Sequence, residues 1–212
     1  MRTIKTYLLM IVALFVFTPT FAQNKVLSKA LKKEYKTKMK ELKKDGWELA
    51  GSSRSLDVAL LLHYEKLSDP ENKELPGEVS SCMSLNICLQ AALNNACTYY
   101  ASLAGSKLKG RVVSDLAVNQ TSIDASEEFD RMYAAYERLV EKEIKGEIQE
   151  SFSIMRTNST GQKEYRTYFL INETAATKAR IKAWENAARE SEAAQKYATK
   201  VSDWIKEGFE IE

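Results

Sequence analysis

Apolar side chains recur at near-four-residue spacing from Lys25 to Asp45, through Leu27, Leu31, Tyr35, Met39 and Leu42. That period predicts a helix with one apolar stripe, and Gly46 stands where a helix usually stops. Nine lysines against Glu34, Glu41 and Asp45 fill most of the other positions. Trp47 to Gly51 alternates and reads as a short strand. Ser55 is a cap for a helix whose apolar positions are Leu56, Ala59, Leu60, His63, Tyr64 and Leu67. A turn over Ser68 to Asn72 follows by composition, then a strand over Pro76 to Ser80.

From Ser84 to Leu103 the chain is rich in alanine and leucine, predicting a helix that ends at Gly105. Arg111 to Val118 reads as a strand. Asp124 and Glu127 approximate a capping box ahead of a helix carrying Phe129, Met132, Tyr133, Tyr136, Leu139 and Val140 on one face, closed by Gly146. Ile148, Phe152 and Ile154 alternate with Gln149, Ser151 and Ser153, the pattern of a strand with one wet face. Asn158 to Gly161 is a hairpin turn. Tyr165, Thr167, Phe169 and Ile171 form the returning strand, and a last helix runs from near Glu173 past Trp204. The order predicts an α+β fold: a mixed sheet with helices packed on one side, plus N-terminal and long C-terminal helices. No repeat, low-complexity tract or linker divides it. The expected organisation is a leader over 1–22, a basic amphipathic helix over 23–45 and one domain over 46–212.

The leader changes the electrostatic picture. Arg2 and Lys5 precede an unbroken apolar run from Tyr7 to Phe17, and in Thr20-Phe21-Ala22 the first and last offer small residues where a signal peptidase reads. A run of about 11 residues is too short for a bilayer core of ~30 Å. Cleavage between Ala22 and Gln23 is expected, with export to the periplasm or beyond the cell and no transmembrane segment left. The 31 basic residues less Arg2 and Lys5 make 29, against 29 acidic. A neutral chain has no global attraction for nucleic acid.

Three cysteines are too few for a disulfide scaffold. On one helix, Cys88 and Cys97 would lie ~13 Å apart along the axis, too far to bridge. Cys82 reaches Cys88 only by folding back from before the helix; three small buried thiols are the preferred reading.

Candidate chemistry is sparse. The single histidine, His63, sits on an apolar stripe and reads as a core residue. One histidine cannot build the multi-histidine zinc sites, and no metal or cofactor is expected. Gly105 to Val112 imitates a phosphate-binding loop, yet puts Arg111 and Val112 in place of its lysine and hydroxyl residue. It also enters a strand rather than a helix, and reads as a helix stop with a basic turn. No G-x-S-x-G elbow occurs. Glu147 and Glu150 read as a solvated edge. Asp69, Glu71 and Glu74 lack the glycine and spacing of a calcium loop. Asn119, Asn158 and Asn172 open N-x-[ST] sequons.

One resemblance adds to this. Ala92-Leu93-Asn94-Asn95-Ala96 opens a helix leading into Val112-Val113-Ser114, and Tyr165-Arg166-Thr167-Tyr168-Phe169-Leu170 precedes the helix from Ala175 to Glu185. Over residues 84–185 this pattern resembles the LPP-twenty-type bacterial envelope lipoproteins, though without their lipobox cysteine. The resemblance implies an α+β envelope domain with no catalytic residues to carry over.

The expectation for function is therefore an exported, non-enzymatic binding or accessory protein. Its partner is an unidentified protein or envelope component. Lys32, Lys36, Lys40, Tyr165 and Tyr168 are the candidate contact surface, with packing inside the domain preferred for the two tyrosines because aromatics favour strands. Trp204 and Phe209 are a candidate self-association patch, with burial in the domain preferred. The rivals are a carboxylate-dependent hydrolase of envelope polymers and a membrane-surface protein using helix 25–45.

Overall fold

The computed structural model describes residues 19–82, 84–118, 126–189, 195 and 201–206, with side chains described over 28–82, 84–114, 130–189, 195 and 201–206. The element order is α1 (Pro19–Lys44), β1 (Glu48–Leu49), α2 (Leu56–Lys66), β2 (Asn72–Val79), α3 (Leu85–Val118), α4 (Ser126–Ile144), β3 (Gln149–Thr157), β4 (Lys163–Asn172) and α5 (Glu173–Ala188). Residues 201–206 are also helical. The fold is α+β, as expected.

The sheet corrects the finer expectation in two ways. Its order is β1-β3-β4-β2 and every pairing is antiparallel, so it is not mixed. Helices also cover both faces. On one face Leu75, Phe169 and Ile171 pack with α3, α4, α5 and the 201–206 segment around Tyr136, Ile144 and Trp184. On the other, Phe152, Ile154 and Tyr168 pack under Met39 and Leu42 of α1, Trp47, and Ala59, Leu60 and Tyr64 of α2. The amphipathic N-terminal helix is thus half of a core rather than an appendage.

Local chemistry explains the element ends. At the C-terminal end of α1 the Trp47 amide donates to the Leu42 carbonyl at 3.0 Å and the Gly46 amide to Lys43 at 3.3 Å. Gly46 has φ +72°, the left-handed step such a cap needs. Ser55 caps α2, its Oγ accepting from the Val58 amide. Asn172 caps α5, its Oδ1 accepting from the Ala175 amide.

The middle of the chain departs most from expectation. Gly105 does not stop α3, and Arg111 to Val118 is helix, not strand. Gly105 is buried, and the space its Cβ would take is filled by the Glu137 side chain of α4. Its smallness lets two helices approach. The helix-to-strand step at Val112 that carried the lipoprotein resemblance is therefore absent from this fold. β2 starts at Asn72, where a turn was expected to end. Asp124, Asn119 and Phe209 lie outside the described residues, as do residues 1–18 of the leader.

Candidate functional site

Helix α2 explains where two of the concave surfaces lie. Its sequence, Leu56-Asp57-Val58-Ala59-Leu60-Leu61-Leu62-His63-Tyr64-Glu65-Lys66, is apolar nearly all round, a pattern normally buried on every side. Only Ala59, Leu60, His63 and Tyr64 are buried, and Val58, Leu61 and Leu62 stay exposed, Leu61 by 55%. Each flank of the helix borders a cavity. Between α1 and α2 runs a groove of about 670 Å³ lined by Leu31, Lys32, Tyr35, Leu61, Tyr64 and Glu65. The second cavity, about 290 Å³, lies between α2, the 49–54 segment and β3, and is lined by Arg54, Leu62, Lys66, Glu150 and Ser151 among others.

His63 sits beneath α2 with no exposed surface. Its Nε2 is 2.6 Å from Glu74 Oε2, and its Nδ1 is 3.0 Å from Ser151 Oγ. The ring meets Phe152 and Tyr168 edge-on at 5.3 and 5.7 Å. In the neutral imidazole beside a carboxylate, which only accepts, Nε2–H donates to Glu74 and Nδ1 accepts from the Ser151 hydroxyl. Core burial of His63 was legible from its stripe. Its two partners were not, since they come from β2 and β3.

A β-bulge makes this contact. The register runs Glu150↔Phe169 and then Phe152↔Tyr168, leaving Ser151 without a partner on β4. A regular strand would turn Ser151 and Phe152 to opposite faces. The extra residue lets both meet the same imidazole. The expected wet face of β3 is thereby corrected: Ser151 is half-buried, and Ser153 is buried with its Oγ 2.9 Å from Thr167 Oγ1.

The candidate contact residues divide. Lys32, Lys36 and Lys40 are exposed along α1, where expected. Tyr165 and Tyr168 are not a contact surface, being 4% and 2% exposed. Tyr168 stacks on Phe152 with centroids 4.5 Å apart, and Tyr165 packs with Ala50 and Cys88. Trp204 is half-buried with the Arg111 guanidinium 5.7 Å from its ring centroid.

The cysteines also need correction. Cys82 does fold back onto the first turn of α3 and is joined to Cys88 by a disulfide, with Cα atoms 5.6 Å apart. Only Cys97 stays reduced, buried in the larger core. Burial pushes its thiol up to about 11, against an opposing pull from Lys145.

A polar cluster in the larger core went unseen in the sequence. Arg180 of α5 has no exposed surface; it donates to Glu173 Oε1 at 2.5 Å, to Thr177 Oγ1 at 2.7 Å and to the Tyr100 hydroxyl. Burial raises Tyr100 to about 12 despite Arg180. Glu173 and Thr177 precede Arg180 at helical spacing, the one local signal that could have revealed it.

Among the described residues, no three His, Cys, Asp or Glu side chains converge on a metal position. No described helix is long and apolar enough to cross a membrane. With fold and cavities in view, comparison with family models, curated proteins and solved structures finds no match.

Proposed function

We propose that this is an exported envelope protein that works by binding an amphiphile with one apolar chain in the groove between α1 and α2. The carrying observation is that groove. Its volume of about 670 Å³ falls within the roughly 300–1,000 Å³ of small-molecule sites. Leu31, Tyr35, Leu61 and Tyr64 are its apolar lining, and Leu61 leaves more than half of its surface uncovered by the protein itself. Lys32 lines the groove with Lys36 one turn further along, while Glu34 pairs with Tyr64 and Glu65 lies on the α2 bank; the lysines are where a negatively charged head would sit. Export is supported by the leader pattern ending at Ala22, with Gln23 as the new N-terminus. It is supported too by the Cys82–Cys88 disulfide, a bond that persists mainly in oxidising compartments.

Titration of the protein starting at Gln23 with a dansyl-labelled fatty acid tests the reading. Saturable enhancement of dansyl emission is expected, abolished by Leu61→Asp and weakened by Lys32→Glu. Absence of saturation, or equal binding by both variants, would overturn it. Export is tested separately by the intact mass of protein recovered outside the cytoplasm.

A further inference from the structure

On the opposite flank of α2, we propose that Ser151, His63 and Glu74 form a nucleophilic site for hydrolysis of small carboxylic esters, beyond the binding role. The geometry is the argument. Serine, imidazole and carboxylate are joined in series at 3.0 and 2.6 Å, the chain of roles that activates a serine on unrelated folds. The ring is fixed by Phe152 and Tyr168 and has no exposed surface, and of the three residues Ser151 alone lines the cavity, so leaving group and water meet Nδ1 beside Ser151. The nucleophile is the bulged residue of an otherwise regular strand, and it opens into the cavity of about 290 Å³. Arg54 and Lys66 line that cavity together with Glu150, so positive charge is within the cavity to favour a developing oxyanion. The volume limits the substrate to a short acyl group with a compact alcohol.

The step balances without a co-reactant other than water. Ser151 Oγ bonds to the carbonyl carbon as its proton passes to His63 Nδ1, and Glu74 stabilises the imidazolium through Nε2–H. The tetrahedral centre collapses, the ester C–O bond breaks, and the departing alkoxide takes the proton from Nδ1. Water then adds to the acyl-serine, giving a proton to Nδ1. Ser151 Oγ recovers that proton as the carboxylic acid leaves. Glu74 is a positioning residue, acting only through His63.

The test uses a fluorophosphonate probe and p-nitrophenyl acetate on the intact protein, with peptide mass mapping of the adduct. Phosphonylation at Ser151 is expected. Ester turnover should fall by about 100-fold in Ser151→Ala, the scale of lost nucleophile and acid–base assistance. Glu74→Gln should lower kcat with little change in KM while the circular dichroism spectrum is retained, and Glu74→Asp should restore part of the rate. His63 variants, being core substitutions, are not relied upon. No adduct, an adduct elsewhere, or an undiminished rate in Ser151→Ala would overturn the proposal and leave the groove reading untouched.

Discussion

Cys82 and Cys88 are bonded through sulfur across the first turn of α3, while Cys97, further along the same helix, is not. Unfolded, unreduced protein should therefore titrate one thiol rather than three. Opening so short a loop with Cys82→Ser and Cys88→Ser should cost about 2 kcal/mol on the chain-entropy view. Denaturant melts of the double variant, set beside wild type with and without reductant, check both statements.

Two glycines should respond in opposite directions to alanine. At Gly77 of β2 the added Cβ would run into the backbone carbonyl of Ala92 on α3, and neither strand nor helix can step aside cheaply. Gly77→Ala should destabilise by about 2 kcal/mol or more, the range of overpacked cores. Gly110, exposed in the same long helix, has nothing near its Cβ position. Gly110→Ala should stabilise by about 0.5–1 kcal/mol through helix propensity. Thermal melts of both variants give the comparison.

Removing one member of the Arg180 cluster should be costly. Glu173→Ala leaves a guanidinium with no exposed surface short of its carboxylate, and about 3 kcal/mol is the usual scale for a broken buried pair. Arg180→Met together with Glu173→Leu should lose less than Glu173→Ala alone, which a urea series on the two variants decides.

Alkaline pH should weaken the fold. Burial raises Cys97 to about 11 from its ordinary 9.0, and Tyr100 and Tyr133 to about 12 from 10.0. Groups raised in the folded state contribute fully below their unfolded values and lose that contribution as pH climbs through the folded ones. Stability should thus decline from about pH 9 upward. In a spectrophotometric titration, part of the tyrosinate absorbance should emerge together with unfolding rather than before it.

How much was legible in the sequence depended on how local each cause was. The caps at Ser55 and Gly46, the stripes of α1 and α2, and the β3–β4 hairpin all follow from neighbours within a turn or two. Gly105 misled because its role is set by Glu137 across a helix interface, and the valines after Gly110 then read as strand. For Tyr165 and Tyr168 the strand preference of aromatics favours packing, but alternation alone cannot tell whether a distant helix covers a face, so a contact role stays open in the sequence. The Ser151–His63–Glu74 series was invisible for the same reason. Three segments supply it, and a single bulged residue decides where the serine points.

The hairpin of β3 and β4 is the clasp on which everything else hangs. β1 lies against β3 and β2 against β4, with Asn72 meeting Asn172, so both outer strands wait for a segment made long after them. Such distant pairing slows folding. A product truncated before Gln149 would keep α1 to α4 but deprive both of those strands of their neighbours, leaving unsatisfied amides and carbonyls open to other chains.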